Sequence, residues 1–292
     1  MRIDGKQIAQ EILDELKERV VRLKKKGIIS HLHIITLTTD AASNAYVSQK
    51  KLKGGEIGAK ITVENLSPNT KTDELLSKIE RLNNDKNVHG IVIQRPLPSQ
   101  IEEKKVAEAI NPKKDVDGFH PQSKFSPPIA QAVLKILEKI YTSTPGVDAQ
   151  KPLGFSSWLK SKKIAVIGRG VTAGGPIIKT LKRQAKTRSD LVTNLVTITS
   201  KTENKIEILK NSDIIICAVG KANIIKKSDI ERGAILIGVG MYKGEDGKFH
   251  SDYEEDDIRD TASSYTPTPG GVGPVNVAEL LSNLLKASEN QL

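Results

Sequence analysis

Short runs of β-branched and aliphatic residues, each closed by turn residues and followed by a helical stretch, recur along most of this chain. This rhythm limits the possible folds more than any other feature. LHIITL (32–37), KITVENL (60–66) and VHGIVIQ (88–94) read as strands, with helices over 42–53, 73–83 and 101–110. A second series follows: strands KIAVIG (163–168), LVTIT (195–199), DIIICAVG (213–220) and AILIGVG (234–240), with helices over 174–186, 203–211 and 227–232. Strands that are apolar on both faces need cover on both faces, so the expected fold is α/β, with parallel sheets flanked by helices. Asp4 is placed to cap a first helix whose stripe Ile8, Ile12, Leu16, Val20 and Leu23 stops at Gly27. A helix over 129–141 leads to a Pro/Gly/Ser-bearing stretch, 142–157, read as a surface connection between the series. A last helix spans 275–287.

Composition narrows the function classes. A chain of 292 residues with 37% hydrophobic and 27% charged content is long enough for two lobes. The single cysteine, Cys217, excludes an internal disulfide and reads as a buried strand thiol. No apolar run reaches the length of a membrane span, and the amino-terminal segment, rich in both acids and bases, is no secretory signal. The expectation is a cytoplasmic protein without membrane partners. The net charge of +10 comes with only 3% aromatic residues and with lysines spread along the chain. A nucleic-acid binder would concentrate them beside stacking residues, so nucleic acid is not expected as a partner; attraction of anionic small molecules is the second reading of the charge.

Two regions carry chemistry. GRGVTAGGP (168–176) joins a strand directly to a helix, where glycines let a pyrophosphate approach the backbone and the helix start offers free N–H groups. The spacing is not GxGxxG, and a tight turn without a ligand is the plain alternative. The next strand runs into Ser200-Lys201-Thr202 with no acid before Glu203, while Arg169 stands in the glycine loop. Lacking an acid for a ribose hydroxyl and having a nearby guanidinium, this arrangement favours NADP over NAD. Gly168, Arg169, Gly170, Gly174, Ser200, Val219 and Gly220 are the expected cofactor contacts; no metal ligands are expected.

In the first series Tyr46 and Lys50 lie four residues apart on a helical pattern and so share a face. Gln94 ends a buried strand before a Pro-Leu-Pro turn, and Asp117 sits in KKDVDGFHP (113–121). Taken singly, these read as a packing residue, a solvated lysine, a strand-end cap and a turn former. A lysine in a partly dry cleft, however, has its ammonium form disfavoured and can exchange protons near neutrality. Near the end of the chain, YTPTPGGVGPVNVAELL (265–281) sets a stiff Pro/Gly turn against a helix.

Ser43/Tyr46/Lys50, Gln94/Pro96/Leu97/Pro98, Lys114-Asp115-Val116-Asp117-Gly118, the loop Gly168/Arg169/Gly174/Pro176 and the turn Pro269 to Pro274, in this order, resemble the motifs of the methylenetetrahydrofolate dehydrogenase/cyclohydrolase family. The resemblance implies a folate-binding catalytic lobe (1–128 plus 275–292, the last helix returning to it) and a Rossmann-like NADP-binding lobe (129–274). It implies that Lys50 is the acid/base group of methenyl hydrolysis, that Gln94 hydrogen-bonds and tunes it, that Tyr46 stacks on the folate and that Asp117 anchors the pterin. Ser43, Pro269, Gly270 and Gly271 would contact the substrate. The implied activity is NADP-dependent oxidation of 5,10-methylenetetrahydrofolate and hydrolysis of the methenyl product to 10-formyltetrahydrofolate, one-carbon chemistry that serves purine biosynthesis, in a homodimer. A dehydrogenase with weak or lost cyclohydrolase, or a silent Rossmann-like binding protein, are the alternatives. They are motivated by departures from the family pattern near cofactor and folate: Gly238 for aspartate, Asn276 for threonine, Thr38 for glycine and a shortened 118–128 segment. Gly170 for serine removes one possible phosphate contact, and the longer 142–160 and 185–193 segments have no functional account.

Overall fold

The structure is a computed structural model that describes residues 1–37, 40–144, 152–186 and 194–291; Thr38 and most of the 185–193 segment therefore lie outside the described residues. The chain forms two compact units, Ala9–Pro128 with Asn276–Leu292, and Met1–Ile8 with Ile129–Val275.

Helix α1 (Gly5–Lys25) begins where the Asp4 carboxylate accepts from the N–H groups of Lys6 (2.9 Å) and Gln7 (3.1 Å). It ends where Gly27 turns left-handed (φ 78°) and Ile28 N–H returns to the Leu23 carbonyl. The expected stripe from Ile8 to Leu23 is buried. Then follow β1 (His31–Thr36), α2 (Ala41–Glu56), β2 (Lys60–Asn65), α3 (Thr72–Asn84), β3 (Gly90–Ile93) and α4 (Glu103–Ala109). The strands form one parallel sheet in the order β2-β1-β3. Central β1 contributes Leu32, Ile34 and Ile35, all fully buried, whereas edge strand β2 is only partly covered. Ile35, Leu75, Ile79, Ile91 and Val106 make the core beneath α3 and α4.

The second unit continues with α5 (Pro128–Thr142), α6 (Pro152–Ser161), β4 (Ile164–Ile167), α7 (Gly174–Lys186), β5 (Leu195–Ile198), α8 (Lys205–Lys210), β6 (Ile214–Cys217), β7 (Ile235–Gly238), β8 (Met241–Lys243), β9 (Phe249–Ser251), α9 (Glu255–Ile258) and β10 (Ser264–Tyr265). The main sheet is parallel, in the order β10-β7-β6-β4-β5. Helix α10 (Val272–Glu289) closes the chain; its residues from Asn276 onward belong to the first unit, where Asn283 donates to the carbonyls of Val116 (2.9 Å) and Ser126 (3.0 Å).

Several expectations need correction. The stretch 142–157 is not all surface connection: 145–151 lies outside the described residues, and from Pro152 the chain is helical. Proline fits the first helical position, and Phe155 and Trp158 pack on Tyr141 with ring centroids 5.9 and 5.5 Å away. Helix α10 begins at Val272 rather than 275, since Pro274 falls in the first turn, where a missing N–H leaves no bond unmade. Only a 3₁₀ turn, Lys227–Asp229, occupies the expected 227–232 helix. The antiparallel β8–β9 hairpin and the two-residue β10 are too short for periodicity to show. Finally, Met1–Ile8 sits in the unit with 129–275, because Ile3 N–H donates to the Tyr265 carbonyl and Tyr265 N–H to that of Met1, extending the sheet edge at β10.

Candidate functional site

In the first unit the chemistry gathers at the carboxyl end of the sheet, where open α/β folds place ligands. Asp40 caps α2 by accepting from Ser43 N–H at 2.9 Å. One and two turns further on, Tyr46 and Lys50 emerge on a shared face. Lys50 is buried, and its ammonium donates to Gln94 Oε1 at 2.9 Å. Gln94 follows β3, its N–H held by the Ile35 carbonyl and its side-chain NH₂ donating to the Arg95 carbonyl at 2.8 Å. That second bond fixes the amide so that its oxygen, not its nitrogen, faces Lys50. Ser43 Oγ donates to the same Arg95 carbonyl at 3.3 Å.

Burial holds the Lys50 pKa below that of an ordinary lysine, and the charge of Asp117 only partly offsets this. Burial likewise raises the Tyr46 hydroxyl. Asp117 is half-buried in the loop behind Asp115. The buried Asp115 accepts from His120 N–H at 2.8 Å, and burial raises its pKa. Arg95, missed in the sequence, lies 4.3 Å over the Phe119 ring and pairs with Glu103 at 2.6 Å. Its place in the Gln-Arg-Pro turn was the one available signal. The arrangement supplies an amine able to cycle its proton, held by a neutral acceptor.

In the second unit, β4 lies at the point where strand order reverses, with β5 on one side and β6 on the other. Ligands of doubly wound sheets bind at such a switch point. Gly168 takes φ 93°, and its N–H donates to the Ile198 carbonyl at 2.9 Å. A Cβ there would press on the Ala218 carbonyl at 2.5 Å, and one on Gly174 would overlap the Gly168 carbonyl. Only glycine therefore permits this tight cradle ahead of α7, where a pyrophosphate fits against backbone N–H groups. Arg169 and Gly170 are exposed on the loop, with open space at the missing Gly170 side chain. Ser200 follows β5, and Val219 and Gly220 follow β6, so the expected cofactor residues flank three adjacent strand ends. Sequence reading passed over Asp252, a fully buried carboxylate bonded to the backbone at 219–221; its run, DYEEDD, resembles solvated surface.

The turn residues Pro269, Gly270 and Gly271 belong to this second unit, not to the one that holds Lys50. The Thr268–Pro269 bond is cis, and a Cβ on Gly5 would overlap the Gly271 carbonyl. Gly238 has a physical reason as well. A Cβ there would overlap Ser251 Oγ and stand 3.1 Å from the hydroxyl of the buried Tyr253, which donates to the Thr266 carbonyl at 2.7 Å. Ser251 Oγ fills, and Tyr253 borders, the space that a side chain at 238 would need.

A cavity of about 850 Å³ opens at the opposite, amino-terminal edge of the three-stranded sheet, beside His31, Lys60, His89 and Lys114. It is remote from the Lys50 constellation, and its buried cation Lys114 is already bonded to the carbonyls of Leu82 and Asp85. Among the described residues no group of three or more His, Cys, Asp or Glu could hold a metal ion, and no helix is long and apolar enough to cross a membrane.

Comparison with known proteins bears on both units. A family model described as tetrahydrofolate dehydrogenase/cyclohydrolase, catalytic domain, matches residues 3–117, and one described as the NAD(P)-binding domain of the same family matches 155–292. A bifunctional protein FolD from Staphylococcus carnosus is 37% identical over 98% of this chain and 96% of its own length. The crystal structure of the bifunctional FolD dehydrogenase/cyclohydrolase from Campylobacter jejuni superposes with a TM-score of 0.88 at 33% identity, covering 100% and 99% of the two chains. The Trypanosoma brucei enzyme, complexed with NADP cofactor and inhibitor, gives 0.86 at 29% identity, covering 99% and 97%.

Proposed function

The chain belongs to the tetrahydrofolate dehydrogenase/cyclohydrolase family, and from that premise we propose how its own residues carry out the family's two reactions. It is an NADP-dependent methylenetetrahydrofolate dehydrogenase and methenyltetrahydrofolate cyclohydrolase. The observation that carries the assignment of roles is the buried Lys50–Gln94 pair at 2.9 Å.

NADP, when bound, accepts the hydride that leaves the methylene carbon. The residues contribute position: the Gly168–Gly174 cradle receives the pyrophosphate, Arg169 meets the 2′-phosphate, and Ser200, Val219 and Gly220 border the remaining dinucleotide. Tyr46 stacks against the folate ring system, Asp117 accepts hydrogen bonds from the pterin, and Ser43 completes the substrate contacts of this unit. Hydride transfer asks for aligned rings rather than proton transfer, so orientation supplies most of the acceleration.

Hydrolysis asks for a proton carrier. The Lys50 amine takes a proton from water as its oxygen bonds to the methenyl carbon. An ammonium in the same place then gives a proton to the departing ring nitrogen as the C–N bond breaks, and the hydroxyl proton is the one released. Gln94 accepts from the ammonium without adding charge, so nothing within the pair offsets the burial that disfavours the charged form of Lys50. In this reading the unit of 9–128 with 276–292 serves folate and catalysis, and the unit of 1–8 with 129–275 serves the dinucleotide. We further assign the chain to a cytoplasmic homodimer that feeds purine biosynthesis.

One experiment tests the whole reading: methenyl-folate formation with NADP or NAD and its subsequent decay, followed in the same sample. Formation that prefers NADP, followed by enzyme-dependent decay, is expected. Formation without accelerated decay removes Lys50 from the role given to it here.

A further inference from the structure

We propose that Asp252 is a positioning residue for the dinucleotide: it fills an anion-binding backbone nest at the end of β6 and so sets the loop against which the cofactor lies. This rests on the reading of Val219 and Gly220 as cofactor neighbours.

After β6 the chain turns through Val219, Gly220 (φ 75°) and Lys221, and the three consecutive N–H groups converge on one carboxylate. Val219 N–H donates to Asp252 Oδ2 at 3.2 Å, and Gly220 and Lys221 donate to Oδ1 at 2.6 and 2.9 Å. Successive N–H groups in such a turn form a concavity that takes up an anion. Here the anion is internal. Asp252 is fully buried at the end of the β8–β9 hairpin, and its own carbonyl accepts from Ile224 and Ile225 N–H groups at 2.8 and 3.3 Å. A Cβ on Gly240 would overlap Asp252 Oδ2, so the glycine on that side leaves room for the carboxylate.

Two consequences follow. The nest is closed to a ligand phosphate, so the negative groups of the dinucleotide are left to the Gly168–Gly174 cradle. The backbone at 219–221 also has its N–H groups turned inward, which leaves the exposed Val219 side chain as the face it offers to the ligand. The end of the hairpin thus shapes the cofactor site from behind, through a carboxylate over thirty residues away in sequence.

The test uses the full-length enzyme. Asp252→Asn keeps the volume but replaces an acceptor oxygen by a donor facing backbone N–H groups. The expected result is a rise in KM for NADP of roughly tenfold or more, the scale of one charge-assisted hydrogen bond lost, with methenyl hydrolysis, which needs no dinucleotide, kept at the parent rate. Asp252→Ala should show the same split, and added formate, a carboxylate small enough for the vacated nest, should lower its KM for NADP; loss of packing alone would not respond to formate. The amide resonances of Val219 to Lys221 in the parent, followed during NADP titration, separate the two ways of failing. If they do not move, the loop is no cofactor neighbour, and both that reading and this proposal fall. If they move while Asp252→Asn keeps the parent KM, or if both variants lose hydrolysis in step with dehydrogenation and formate does nothing, Asp252 is an ordinary structural residue.

Discussion

Gln94→Glu is the sharpest probe of the Lys50–Gln94 pair proposed to carry the proton, because it changes charge and little else. In the parent, Lys50 Nζ donates to a neutral oxygen 2.9 Å away, and burial already pushes the lysine toward its uncharged form. A carboxylate at that distance attracts the ammonium by about 1.4 kcal/mol in water-like surroundings and by about 6 kcal/mol at an effective dielectric of about 20. At about 1.36 kcal/mol for each pH unit, the midpoint of Lys50 moves up by about one to four units. The new carboxylate is itself buried beside β3, which favours the lower end.

The sign is fixed. The ammonium is stabilised, the amine that must take a proton from water becomes scarcer at neutral pH, and the rising limb of the hydrolysis profile moves to higher pH. The assay is kcat/KM for methenyl-folate decay from neutral to alkaline pH, corrected for the spontaneous reaction, with dehydrogenation measured alongside. Hydrolysis at neutral pH should fall at least about tenfold and recover as pH rises, while dehydrogenation changes far less. A variant with the parent profile and rate would show that Lys50 does not titrate in the reaction.

Three further outcomes are expected. Lys50→Met should abolish hydrolysis, a loss of roughly 10²–10⁴-fold; Lys50→Arg should fail alike, since a guanidinium stays charged, and parent-like decay in either variant would contradict the assignment. Arg169→Ala should weaken NADP by about 1.5–3 kcal/mol, the scale of a charge-assisted phosphate contact, while leaving NAD nearly unchanged; equal loss for both dinucleotides removes the 2′-phosphate contact. Gly238→Asp should lower the melting temperature, because its Cβ overlaps Ser251 Oγ and crowds the Tyr253 hydroxyl. Adding Ser251→Ala, which removes the overlapped hydroxyl, should restore part of that loss, and a double variant no better than the sum of the singles would refute the packing account.

Much of the fold was legible because both sheets are parallel and covered on both faces: runs such as IAVI and IIIC are apolar throughout, and helical periods separate them. What escaped was short or ambiguous. A two-residue β10 has no period, and the start of α6 carries Pro and Gly, which read as a loop although Pro152 suits a first turn. The proton pair was legible by another route. Periodicity gave Tyr46 and Lys50 a common face, but nothing in spacing alone joined Lys50 to Gln94, forty-four positions on. That link came from ordered motifs, and the structure supplies the distance and the orientation of the amide.

Asp252, Gly238 and Tyr253 show why the rest was silent. Gly238 looks like a lost functional residue until Ser251 Oγ is seen to occupy its space with Tyr253 alongside, and Asp252 looks like surface until three backbone N–H groups are found around it. In each case one member of the contact comes from the end of the hairpin β8–β9 or the residues just after it, which return to the ends of β6 and β7. A short hairpin leaves almost no trace in composition or period, yet it decides which residues can stand at the edge of the dinucleotide sheet. The departure at 238 is therefore weak evidence against dehydrogenase activity, because the change is matched within the same unit. The backbone at 238 is held without a side chain, its N–H donating to Thr266 Oγ1 while the Tyr253 hydroxyl donates to the Thr266 carbonyl. The Gly168–Gly174 cradle proposed to receive the pyrophosphate follows a different strand.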